Sequence, residues 1–159
     1  MSDTTEPVVM RRLRRLLLVL VTVVLLATAV DLFLIGHYEE PWQVLPLVMI
    51  AAALVVSTWV AGSGSPWSVS TFRIAMLLLV VTGMLGVGMH FNGSREFQIE
   101  MDPALSGWAL FIKAMRAKAP PTLAPGAMAQ AGLFGLLYTY RHPALRRGER
   151  VSTHRGQEL

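Results

Sequence analysis

Four apolar runs, each close to the thickness of a bilayer's hydrocarbon layer, dominate this chain and leave few folds open to it. The first, Leu16 to Gly36, rises about 31 Å as a helix, enough to cross that layer. The others run from Trp42 to Ala61, from Ile74 to Phe91 and from about Leu123 to Tyr140. In hydrocarbon every backbone N–H and C=O has to be paired within its own segment, which makes such runs helices. Composition agrees: 15% of the residues are charged, against roughly 25% in soluble domains, and mean hydropathy is +0.51. The expected fold is an all-α integral membrane protein, a four-transmembrane-helix bundle with an outer interfacial amphipathic helix. A cleaved signal peptide is the competing reading of the first run. It fits poorly, because apolar residues continue through Leu32-Phe33-Leu34-Ile35 beyond the small residues at Ala27-Thr28-Ala29.

The basic residues orient the chain. Arg11, Arg12, Arg14, Arg15, Arg73, Arg141, Arg146, Arg147, Arg150 and Arg155 fall on one side of the four runs, and Arg95, Lys113, Arg116 and Lys118 on the other. Ten against four predicts that both termini are cytoplasmic in a bacterial-type inner membrane. The chain then divides into an N-terminal tail (1–15), a membrane domain (16–140) with an outer segment (92–122), and a C-terminal tail (141–159). A sequence pI near 10.1 could point to nucleic acid. The arginines flank apolar runs instead of forming a polar, aromatic-spaced surface, so nucleic acid is not an expected partner. The expected partners are the lipid bilayer and other membrane subunits or further copies of this chain. With no cysteine, thiolate chemistry and disulfides are excluded.

Two connections are short: 37–41 as a tight outer turn, and Gly62-Ser63-Gly64-Ser65-Pro66 as a flexible inner loop. The outer segment is longer. Asn92-Gly93 reads as a turn, followed by a strand-like alternation of Glu96, Gln98, Glu100 and Asp102 with Phe97, Ile99 and Met101. Asp102-Pro103 then reads as the start of a helix to about Lys118, with Leu105, Trp108, Ile112 and Met115 on one side, lying on the outer interface.

Three polar features at the outer ends could carry chemistry. Asp31 lies roughly 8 Å below the outer end of the first helix, where a bare carboxylate is costly. Gln130 falls at a similar depth in the fourth helix and is the expected partner of a buried polar pair. His37 and His90 end the two outward-running helices at one level, and Gly83 and Gly86 share a helix face with His90, leaving a groove beneath it. Together the histidines suit a metal or haem iron. Glu39, Glu40, Glu96, Glu100 and Asp102 gather on the same side, and Glu39, Glu40 and Glu96 with the histidines form a candidate set for a divalent cation such as zinc or copper(II). Their spacing matches no recognised metal motif. Interfacial histidines and acidic rims also occur as purely structural features.

No P-loop, dinucleotide fingerprint, HExxH or serine-hydrolase elbow is present, and no catalytic residue is assigned. Ala127, Ala131, Gly132 and Gly135 point to close helix contact. The leading expectation is therefore a non-catalytic accessory or assembly subunit of a larger inner-membrane complex. The alternatives are a protein binding haem b or a divalent metal through His37 and His90, and an oligomeric ion or small-molecule transporter using Asp31 and Gln130.

Overall fold

The computed structural model describes residues 7–116 and 123–145. Among the described residues five helices are delimited, α1 (Val8–Leu34), α2 (Pro41–Ser63), α3 (Pro66–Met101), α4 (Gly107–Met115) and α5 (Ala124–Thr139); residues 143–145 are also helical, and no strand is found among the described residues. The first three are long and apolar enough to cross a membrane. Their outward faces carry Val19, Val23, Leu26, Val55, Leu78 and Val81, all exposed. A row of aliphatic side chains this long is stable against lipid and not against water, so the protein is integral to a membrane and contacts the bilayer.

Helix α1 begins well before its apolar run, so Arg11, Arg12, Arg14 and Arg15 are helical and not part of a loose tail. Hydropathy marks where lipid begins; it does not mark where a helix begins. Its other end is closed by Gly36, at φ 70. The His37 amide donates to the Leu32 carbonyl at 2.9 Å and the Gly36 amide to Phe33 at 3.1 Å. This Schellman closure requires the left-handed residue that glycine provides, and it anchors His37 directly beyond the helix.

The loop expected at 62–66 is reduced to two residues. Gly64, at φ 53, ends α2, and the Ser65 hydroxyl accepts from the Ser68 amide at 3.1 Å to cap α3, with Pro66 in the first turn. Capping at both ends leaves no slack for a flexible linker.

The largest departure from the sequence reading is in α3, whose 36 residues rise about 54 Å. It passes straight through Asn92-Gly93 and absorbs the expected strand. The side chains shielded there are Phe91, Ser94, Gln98 and Ile99, the first three spaced three and four apart, because α4 folds back along this face and Phe91 meets Phe111 at 5.5 Å between ring centroids. Tertiary burial at helical spacing overrides a period-two pattern of acidic residues that face water. Asp102 ends α3 instead of starting α4; its Oδ1 accepts the Ala104 amide at 3.2 Å in a tight turn. Helix α4 starts at Gly107 and buries Leu110 and Ala114. Trp108, on the expected apolar side of this helix, is 73% exposed and stacks on Phe111. Lys118 lies outside the described residues.

Helix α3 packs against α2, α4 and α5, while α1 packs against α2 and α5. The helices α1, α2, α3 and α5 therefore close a ring with α1 and α3 at opposite corners. Contact between α3 and α5 is closest, and glycine makes it so. A Cβ on Gly83 would come within 2.6 Å of the Pro125 carbonyl oxygen and 2.7 Å of the Ala129 nitrogen, and one on Gly132 within 2.6 Å of the Met76 carbonyl oxygen. Without a hydrophobic driving force between helices in lipid, such close backbone packing is the main source of association. Phe72, Met76 and Leu79 of α3, Val21 and Leu25 of α1, Ile50 of α2 and Ala131 of α5 form the core around it.

Candidate functional site

Most buried polar side chains in this bundle are satisfied by their own helix. Thr28 donates to Val24, Ser57 to Ala53 and Thr139 to Leu136, at 2.8, 2.7 and 2.9 Å. Such bonds close locally and use the single proton of each hydroxyl. The polar groups that escape this pattern collect at the two ends of the ring.

At one end the four helices of the ring line a partly open cavity of about 310 Å³. Asp31 and His37 reach it from the end of α1, Pro46 from α2, Thr82, Gly86 and His90 from α3, and Pro125 and Met128 from α5. The His37 and His90 rings lie 6.0 Å apart between centroids, inclined by 33°. Each has a definite mechanical origin. His37 is held by the Schellman closure of α1, and His90 by the continuous helix that runs past it. Pro46 has no N–H to donate, so the α2 hydrogen-bond ladder is interrupted at the level of the cavity.

Partial burial, and then the charge of the neighbouring His90, hold the His37 pKa below its ordinary value of 6.5. Both causes favour the neutral ring, which is the form that can donate a lone pair to a metal.

The remaining residues of the expected site are not assembled around the histidines. Glu39 and Glu40 are exposed, and their backbone amides donate to the Gln43 side-chain oxygen at 3.1 and 3.2 Å, which makes this acidic pair part of the start of α2. Glu96 is exposed on α3, about 9 Å further along the axis than His90 and a third of a turn around it. Glu100 lies one turn beyond Glu96, and Asp102 is in the α3–α4 turn. Among the described residues no three His, Asp or Glu side chains are grouped to hold a metal ion. A strand over 96–102 would keep these carboxylates near the histidines, and the helix carries them away.

The Asp31–Gln130 pair is also corrected. Both residues are exposed, and no hydrogen bond between them is found among the described residues. The buried face of α5 is set by Met128, Ala131, Gly132 and Gly135; Gln130 instead heads an exposed stripe with Leu133 and Leu137. Asp31 sits at the edge of the inward stripe of α1, next to buried Leu32, and so lines the cavity without being buried in it. The groove expected beneath His90 is half present. Gly86 lines the cavity, but the Gly83 face is filled by Pro125 and Ala129. A flat macrocycle loses the slot it needed there, whereas a single ion does not need one.

The opposite end holds a polar residue that the sequence reading missed. Arg14 is 9% exposed. Its guanidinium donates to the Tyr138 carbonyl, to the Tyr140 carbonyl at 3.1 Å and to the Arg141 carbonyl at 3.4 Å. These carbonyls close the C-terminus of α5, where the helix dipole is negative and acceptors lack helical donors. A signal for it exists in the sequence: Arg14 continues the stripe Val21, Leu25, Thr28, Leu32 backward by seven residues. Comparison with protein families, with curated proteins and with solved structures finds nothing that matches this chain.

Proposed function

We propose that this is a four-span membrane protein that acts by binding and not by catalysis, and that its ligand is a divalent cation held between His37 and His90. The observation that carries the reading is the convergence of the two rings at 6.0 Å over a cavity shared by all four helices of the ring. Two metal–nitrogen bonds of about 2 Å place the ligating nitrogens at most about 4 Å apart. Ring centroids 6.0 Å apart are compatible with that spacing when the nitrogens face each other. With two protein ligands, the other coordination positions go to water or to a donor from another molecule. Such a site exchanges its ion more readily than a closed four-ligand site.

In this reading α5 is the fourth span. It runs from the histidine cavity, where Pro125 lies, to the arginine end, where Arg14 meets Tyr140. The ten-to-four distribution of basic residues supports cytoplasmic termini in a bacterial-type membrane, with the histidine cavity outside. Equilibrium dialysis of the detergent-purified protein against cobalt(II) or copper(II), read by the ligand-field spectrum, tests the assignment. About one ion per chain is expected for the parent, and a large loss for His37→Ala and for His90→Ala. Equal binding by both variants would remove the histidines from the site.

The accessory-subunit reading is favoured by a separate observation. Beyond the apolar stretch of α3, Phe97, Met101 and Trp108 are exposed on the α3–α4 hairpin. A neighbouring subunit would cover them, and photo-crosslinking from position 97 or 108 in native membranes tests for one.

A further inference from the structure

At the arginine end a second cleft, of about 890 Å³, opens between α3 and α5. Its rim carries Arg73 and Arg141, and its floor is made by Leu77, Leu133 and Leu137. Among the described residues no carboxylate lines it. We infer that this cleft binds one anionic phospholipid, with the phosphate between Arg73 and Arg141 and an acyl chain along the leucines. The inference does not depend on the histidine cavity.

Three features support a lipid as the occupant. First, the cations are available. A helix C-terminus repels anions, but Arg14 already caps the last carbonyls of α5, so Arg73 and Arg141 do not serve that purpose. Second, Arg141 is held at the rim. It adopts φ 49, in the left-handed region that non-glycine residues rarely enter, and its guanidinium lies 5.6 Å from the centre of the Tyr140 ring, within cation–π range. Third, the floor continues from the rim toward the middle of the helices. Leu77 is one turn beyond Arg73, and Leu133 is one turn deeper than Leu137; all three are exposed. A free phosphate would engage the rim and leave this floor empty. A packed helix would favour small residues over leucines at its contact. A diacyl lipid with a negative headgroup satisfies both parts at once.

The test uses the full chain in mild detergent, with phosphatidylglycerol and phosphatidylcholine of equal chain length and, separately, inorganic phosphate. Native mass spectrometry should show one phosphatidylglycerol retained in preference to phosphatidylcholine, with a higher Tm that phosphate alone does not produce. Charge near a membrane surface contributes roughly equally per arginine, so Arg73→Gln with Arg141→Gln should weaken retention about thirtyfold. Arg73→Lys with Arg141→Lys should keep most of it, and Arg116→Gln, on α4's side, all of it. Helicity by circular dichroism verifies that the double glutamine variant is folded. Equal retention of the two lipids, undiminished selectivity in the folded double glutamine variant, or full protection by phosphate alone would each overturn the inference. Should that variant not fold, loss of selectivity in Arg116→Gln equal to that of Arg73→Gln alone would do the same.

Discussion

Arg14 in the second turn of α1 donates from Nη2 to the carbonyl of Tyr140 at 3.1 Å, joining residues 126 positions apart. One side chain thereby ties the start of the bundle to the end of α5. The residue types explain the fit: a planar guanidinium can reach several diverging carbonyls at once, and an ammonium cannot reproduce that fork.

Replacing Arg14 therefore costs more than an ordinary surface change. Arg14→Met, which keeps much of the stem and removes the donors, should destabilise the protein by about 2–3 kcal/mol, the scale of hydrogen bonds to a charged group. Arg14→Lys should recover part of this. Unfolding in mixed micelles measures both, and a neutral Arg14→Met would show that the carbonyls are satisfied without it.

Close packing of α3 on α5 makes a second prediction. Gly83→Ala places a methyl group against backbone atoms of Pro125 and Ala129, which cannot rotate away. A loss of about 1–3 kcal/mol is expected from overpacking, with weaker association of the two helices. Gly88→Ala on the same helix meets no described atom within 4 Å and should be harmless or slightly stabilising. Thermal scans of the two variants side by side test the contrast.

The course of α3 through Asn92-Gly93 is testable with one methyl group. Gly93 is helical, and a Cβ added there would meet no described atom within 4 Å. Gly93→Ala should stabilise by about 0.5–1 kcal/mol, as alanine does inside a helix. A turn at this position would give the opposite sign, seen as lost helicity by circular dichroism.

The histidine pair should make stability depend on pH. The folded-state pKa of His37 lies below 6.5 because of burial and the charge of His90. As pH falls below that value the unfolded chain takes up its proton first, so unfolding is favoured. The contribution of His37 is thus fully present above about pH 6.5 and is lost as pH drops through the folded value. His90→Gln removes the repulsion and should raise the His37 pKa, flattening the profile on the acid side. NMR titration of the His37 ring measures the shift directly, and an unchanged titration in His90→Gln would show that the rings do not interact.

Much of the architecture is legible in the residues because a membrane imposes one dominant rule. Runs such as Trp42–Ala61 must be helical, and α2 follows that run within two residues at each end. The small residues Gly132 and Gly135 likewise announce a tight contact, since lipid rewards close backbones. The shared level of His37 and His90 also follows from helix direction alone. What the sequence cannot supply is the side on which a polar residue finds its partner. The acidic alternation at 96–102 resembles a strand face, and only the cover that α4 gives to Phe91, Ser94 and Gln98 makes it helical. Asp31 and Gln130 match in depth, but depth says nothing about azimuth, and the rotation of α5 is decided by Gly132 and Gly135 fitting against Met76 and Val80. Hydropathy assigns Arg14 to a tail because it measures contact with lipid, whereas the burial of Arg14 comes from the carbonyls of a helix more than a hundred residues away. Local pattern determines which segments are helices and how far they extend; only packing between helices determines which of their faces meet.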